Sequence, residues 1–230
     1  MLNYKHLFAA ATLAVATTLP ALAQPVEPVV VLDEAFDDIT ALTSWARINY
    51  SEPRGQLWFQ GNPGVFSAHE GAPGAYLAAN YLSAEHGTGA IDNWLVTPEL
   101  SFIGPSTLSF MARGAQDAGF ADLLEVRFSA GPDTSAASFA TLLTTVGGVG
   151  TFPATWQEFT ANFDYEGTGR FAFRYVGDAA AANYIGLDSV LVSTVPEADT
   201  WLMLLCGLGA VAFLRRRDHS AQPRFGEHNA

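Results

Sequence analysis

The residues best placed to do chemistry in this chain are carboxylates. In the stretch from Val30 to Phe36, the residues Val30, Leu32, Glu34 and Phe36 share one parity, and later Asp188, Val190 and Val192 share another. Read as strands, each segment puts one carboxylate on an otherwise apolar face. A buried, unpaired carboxylate is costly, so each needs a cation or hydrogen-bond donors. Where first and last strands are neighbours, a structural Ca²⁺ held by Glu34 and Asp188 would meet both needs, with Asp37 and Asn93 as further candidate ligands. Two other resolutions stay open: an arginine such as Arg47 or Arg54 neutralises the acids, or both acids sit wet at strand ends.

Other reactive arrangements are missing. There is no Gly-x-Ser-x-Gly elbow, no HExxH pair, no P-loop and no dinucleotide glycine set. Glycoside hydrolysis needs two facing carboxyls, and no Glu-x-Asp-x-x-Glu cluster occurs. His69 and His86 lie in glycine-rich surroundings that suit solvated loop positions better than a metal pair. The single cysteine, Cys206, allows no internal disulfide and no multi-cysteine zinc site. The expectation is a protein that is not an enzyme. Trp45, Trp58, Trp94 and Trp156 are either core or sugar-stacking platforms; Trp94, leading Leu95 and Val96, belongs to the core. Trp58, between Gly55 and Gly61, and Tyr81 are the candidate ligand contacts.

The elements that must position these groups are strands. Leu108, Phe110 and Ala112 alternate with polar neighbours, as do Leu124, Val126 and Phe128, then Phe159, Ala161 and Phe163, then Phe171, Phe173 and Tyr175. Gly104-Pro105, Gly131-Pro132-Asp133, Gly147-Gly148, Glu166 to Gly169 and Val176-Gly177-Asp178 read as turns between them. Helical periodicity is absent from the body; the Ser135 to Leu143 stretch has room for one turn. The fold class is all-β, an antiparallel jelly-roll β-sandwich of concanavalin-like type. Residues 24–197 carry 20 acids against 6 arginines, within a chain of net charge −12. That balance argues against nucleic acid as partner, since a phosphate backbone needs a basic face.

The two ends read as addresses. Residues 1–23 form a signal peptide for Sec export: Lys5, an apolar run, then Ala21-Leu22-Ala23 as cleavage site. Residues 24–194 are the sandwich domain. Residues 195–217 hold Val195-Pro196-Glu197, an apolar segment from Trp201 to Leu214, and Arg215-Arg216-Arg217; a polar tail, 218–230, follows. As a helix the segment reaches about 21 Å, short of the ~30 Å hydrocarbon core. It suits a transient stop in the inner membrane with the arginines kept inside. This order resembles the PEP-CTERM sorting signal of Gram-negative bacteria. The resemblance implies an exosortase as processing partner and delivery to the cell surface or extracellular matrix. Ala198 replaces the second proline usual in that motif, and the tail extends past the arginines.

The body resembles the choice-of-anchor J family, relatives of cleaved-adhesin and MAM-type jelly rolls. Asp92-Asn93-Trp94-Leu95-Val96-Thr97-Pro98 carries the likeness. Asp33 to Asp37, Trp45, Phe66 to His69, Ala78 to Asn80, Leu108 to Phe110, Thr155 to Phe159 and Tyr184 to Val190 follow in matching order. The resemblance implies a non-catalytic surface or matrix protein that binds exopolysaccharide or surface proteins. A secreted glycan hydrolase and a purely structural matrix protein are the alternatives.

Overall fold

The computed structural model describes residues 27–115, 117, 119–148, 151–196, 207–209 and 211. The signal peptide, Glu197, Arg215 to Arg217 and the tail lie outside the described residues, as does most of the 201–214 segment. Gly207, Leu208, Gly209 and Val211 are helical. No helix among the described residues is long and apolar enough to cross a membrane.

The body consists of antiparallel strands and single 3-10 turns. Its strands are β1 (Val29–Glu34), β2 (Ala46–Asn49), β3 (Phe59–Gln60), β4 (Leu77–Asn80), β5 (Ala90–Val96), β6 (Leu100–Gly114), β7 (Leu123–Ala130), β8 (Thr141–Gly147), β9 (Gln157–Asp178) and β10 (Tyr184–Thr194). One layer runs from the first half of β9 through β6 to β10. The far edge of β10 is shared, Tyr184 to Leu187 pairing with β4 and Val190 to Thr194 with β1. The other layer runs β2, β5, the second half of β9, β7 and β8. First and last strands are neighbours, and the all-β jelly-roll expectation holds.

The alternating residues meet between the layers. Leu108, Phe110 and Ala112 of β6, with Ile185, Leu187, Val190 and Val192 of β10, face Leu124, Val126 and Phe128 of β7 and Phe171, Phe173 and Tyr175 of β9. The outer faces are also partly covered. Trp94, Val96 and Ala172 pack under Phe139, beside the 3-10 turn Ala136–Ser138, and Phe66, Tyr76, Ala78 and Tyr184 form a cluster against Trp156.

Two sequence signals meant something else. Gly104-Pro105 and Glu166 to Gly169 are not turns but cross-strand partners: Phe102 pairs with Gly167, Gly104 with Tyr165 and Pro105 with Asp164. Gly104 (φ 133°) and Gly167 (φ 123°) let the paired strands bend together without ending. Past Gly169, β9 continues into the other layer. The second correction concerns Asp188. The register of β10 on β6 jumps between Asp188 and Leu191, and Ser189 is left-handed (φ 49°). This bulge reverses parity, so Leu187 and Val190 face the core and Asp188 does not share their face. A register shift between Val30 and Leu32 likewise breaks the alternation leading to Glu34.

The crossing of β9 is closely packed. A Cβ on Gly169 would lie 2.5 Å from Phe128 Cζ and 2.9 Å from the Ser129 carbonyl oxygen. Gly169→Ala is therefore expected to destabilise by about 1–3 kcal/mol, read as a lower urea midpoint at unchanged slope; a midpoint equal to wild type would refute the tight crossing.

Candidate functional site

A groove of about 810 Å³ opens beside β3 and β4. Its most exposed aromatic is Tyr81, 42% exposed, flanked by Leu57 and Val65. Tyr81 opens a 3-10 turn, Tyr81–Ser83, capped by Asn80, whose Oδ1 accepts from Leu82 N at 2.9 Å. Tyr81 N donates to the Asn183 carbonyl at 2.9 Å. One side of the ring rests on Gly87 (φ 68°), where a Cβ would come 2.7 Å from Cδ2. The ring is thus fixed from behind while the rest stays open.

Amides surround it. Asn62 Oδ1 accepts from Gly64 N, and Asn62 N donates to Tyr184 Oη at 3.0 Å. Tyr76 Oη donates to the Asn62 carbonyl at 2.9 Å and lies 3.1 Å from Tyr184 Oη. Burial pushes both tyrosine hydroxyls above their usual range, so this wall stays neutral. Asn183 Nδ2 donates to Asp117 Oδ2 at 3.0 Å. The amide nitrogens of Asn62 and Asn80 have no protein partner among the described residues, and neither has the Gln56 side chain. A rigid ring beside planar amides suits a pyranose, which offers C–H bonds on its faces and hydroxyls around its rim.

The Asp92 to Pro98 motif holds this groove from beneath. Asn93 faces inward, its Nδ2 donating to the Gln56 carbonyl at 3.1 Å and to Ser83 Oγ at 2.9 Å. Its cross-strand partner Asn49 donates to the same Gln56 carbonyl and to the Ser83 carbonyl, both at 2.8 Å. The two asparagines tie the loop before β3 to the turn that carries Tyr81. Asp92 and Trp94 face the other way. Arg174 Nε donates to Asp92 at 2.6 Å, and the guanidinium lies 5.0 Å from the Trp94 ring centroid. Arg174 also reaches Glu125 at 3.1 Å, and Arg127 binds the same carboxylate at 2.7 Å. Burial works against ionised Glu125, but these hydrogen bonds and charges outweigh it and leave its pKa lowered. Thr97 Oγ1 accepts from Phe171 N at 3.0 Å and closes the motif onto β9.

The structure brings together only some of the expected residues. Tyr81 lines the groove. Trp58 is fully buried, its Nε1 donating to the Asn93 carbonyl at 3.2 Å, and it lines the same groove from beneath. Trp94 is in a core, as expected. Of the expected Ca²⁺ ligands, Asn93 belongs to the groove floor, and no group of three or more His, Cys, Asp or Glu among the described residues is arranged for a metal ion. Glu34 Oε1 accepts from Phe36 N at 3.0 Å. Asp37 Oδ1 lies beside Gly71. Asp188 accepts from His69 N at 2.8 Å, Glu70 N at 3.3 Å and Ser189 N at 2.7 Å. Backbone donors, not Arg47 or Arg54, answer its burial; Arg47 Nη1 donates instead to the Trp58 carbonyl. His69 meets Ser189 and His86 meets Glu85, so the histidines stay apart. Sequence reasoning missed Asn62, Asn80 and Asn183, because they lie far apart along the chain.

The body is similar in structure to the K3 cleaved adhesin domain of Lys-gingipain from Porphyromonas gingivalis. Identity is 27% and the TM-score 0.56, over 73% of this chain and 99% of that domain. The K1 domain of the same protein matches at 24% identity and TM-score 0.54, over 71% and 98%. Its K2 domain matches at 21% and 0.53, over 70% and 98%. No protein-family model matches the chain, and no curated protein matches it. The fold is an adhesin-like jelly roll.

Asp188 supplies a test of its buried setting. Burial raises its pKa above 3.8, and its three N–H donors oppose that without reversing it. The folded state then binds the proton more tightly than the unfolded state, so this contribution to stability is full below 3.8 and fades as pH rises through the folded value. The stability advantage of wild type over Asp188→Asn is expected to shrink across that rise, measured by urea midpoints at successive pH; an advantage that grows instead would contradict the burial.

Proposed function

We propose that the body is a non-catalytic binding domain that holds a glycan in the groove beside Tyr81, and that the chain works in adhesion or matrix binding at the cell surface. The supporting observation is the Tyr81 ring, backed by Gly87 and bordered by Asn62, Asn80 and Asn183. Likeness to a cleaved adhesin domain supports the same reading. A binding role fits the lining better than hydrolysis does, because its carboxylates number one, Asp117, where glycoside cleavage uses two. Export and sorting belong to the proposal: Val195, where the proposed signal begins, donates its N–H to the Pro105 carbonyl at 2.8 Å beside the last strand. An exosortase would act there.

Tyr81→Ala is expected to abolish binding on a glycan array while shifting stability by no more than about 0.5 kcal/mol, as for an exposed side chain. Retained binding would remove the groove from the proposal. Glycan turnover lost on changing Asp117 would make the protein a hydrolase, and matrix retention with no array binding would make it purely structural.

Calcium is a separate proposal. It requires Asp188 to exchange N–H donors for a cation and Glu34 and Asp37 to turn toward it. A melting temperature lowered by EDTA, restored by Ca²⁺ and insensitive to EDTA in Asp188→Asn supports it; an unchanged curve with chelator retires it.

A further inference from the structure

The six arginines of the body divide into two groups. Arg127, Arg170 and Arg174 each have a carboxylate within ion-pair distance: Glu125 for the first, Glu99 at 3.9 Å for the second, and Asp92 with Glu125 for the third. Arg47, Arg54 and Arg113 have none among the described residues. These three do not scatter over the surface. Arg54 and Arg47 line a smaller hollow that joins the main groove through Arg47 and Leu57. Arg113 lines another that joins it through Val65, Ala115 and Asp117. The three hollows lie side by side, sharing these lining residues, and make a strip with Tyr81 in its middle section and Tyr50, 40% exposed, at the Arg54 end.

Charge on the strip runs against the rest of the domain. Its lining holds three arginines and one carboxylate, Asp117, which is already bonded to Asn183. Two other sizeable hollows carry Asp133 and Asp164, or Asp33, Glu70 and Glu158, and no arginine. In a body of 20 acids and 6 arginines, stray arginines would be drawn to carboxylates. Three left unpaired along one aromatic strip mark a place where an external anion is expected.

Arg113 is the most constrained. Its guanidinium lies 4.3 Å above the Phe66 ring centroid, and its Nε is buried with no hydrogen-bond partner. The Phe66 ring covers one side of the guanidinium, and no carboxylate among the described residues is within ion-pair distance of it; the terminal nitrogens of such a fork can take an oxyanion by two parallel N–H bonds. Arg47 commits one nitrogen to the Trp58 carbonyl and keeps its other donors. Exposed apolar side chains fall on the same strip: Tyr50, Leu57, Val65 and Tyr81. Apolar surface interleaved with unpaired arginines fits sugar rings carrying acid groups; the hydroxyls of a neutral glycan could accept from the guanidinium N–H groups but would leave their charge unmatched.

We propose that the strip running from Arg54 past Arg47 and Tyr81 to Arg113 binds an anionic polysaccharide, charged by carboxylate or sulfate. The assignment rests on the groove being the glycan site and adds the chemical class of glycan. The test uses the full chain in mild detergent, titrated with polygalacturonate and with its methyl ester, which has the same backbone without the charge. Polygalacturonate is expected to bind at least about tenfold more tightly at low salt, and added NaCl should weaken it. Arg113→Gln and Arg54→Gln should each weaken it by about tenfold, the effect of losing a charge-assisted hydrogen bond, while leaving the methyl ester unaffected. Arg54 is exposed, so its variant reads the effect even where Arg113→Gln perturbs folding. Dextran sulfate beside dextran assigns the acid: sulfate preference with the same arginine dependence supports the proposal with sulfate as ligand group. Methyl ester and dextran bound as tightly as their charged counterparts, with Tyr81→Ala still abolishing binding, would overturn the charge assignment and leave the groove standing. No binding to any of the four polymers would overturn both.

Discussion

One strand has to belong to both layers. β9 pairs with β6 over its first half and with β5 and β7 over its second, and everything else is arranged by where it crosses. The crossing is possible because Gly104 and Gly167 bend two hydrogen-bonded strands together, and it is held because Phe128 closes on Gly169. Phe102, Phe128, Phe163 and Phe171 pack edge-to-face and tilted around that point, with centroids 5.3–5.8 Å apart. Such contacts fix orientation as well as bury area. With the crossing set, β5 is carried into the second layer between β9 and β2, and Asn93 is aimed inward toward the loops.

The groove depends on that placement. Asn49 and Asn93 sit opposite each other on β2 and β5, and between them they hold the Gln56 carbonyl and both oxygen atoms of Ser83. Two buried side-chain amides thus do for a pair of loops what a strand ladder does elsewhere, satisfying backbone groups that would otherwise be buried without partners. Trp58, buried beneath them, fills the space under the same loops. The exposed part of the site is therefore built on buried groups, and the Asp92, Asn93, Trp94 and Thr97 side chains of the motif all serve the domain's own structure.

Charge is sorted by the two faces. On the second layer Arg174 and Arg127 lock Asp92 and Glu125 into a network that closes over Trp94. Beside the groove the arginines are left open. The net acidity of the body is thus a property of its sum, and the strip around Tyr81 departs from it because the acids lie elsewhere.

By itself the sequence determined the architecture. Alternation of period two in the segments around Phe110, Val126 and Phe173 is a direct consequence of strand geometry, and all three segments face the core as read. Trp94 in a core was legible from the apolar residues that follow it. Tertiary structure decided what periodicity cannot carry. A bulge at Ser189 reversed the face of every later residue relative to Asp188, and one extra residue leaves no mark in composition. Gly104-Pro105 and Glu166 to Gly169 read as turns until their mutual pairing made them bends. Trp58, between glycines, was a candidate ligand contact that local sequence could not commit to core or rim; it is buried, with its N–H donated to the carbonyl of Asn93, 35 positions away. Of the groove Tyr81 and Trp58 were legible; Asn62, Asn80, Asn183 and Arg113 come together through strand pairing between distant segments, which no local spacing encodes.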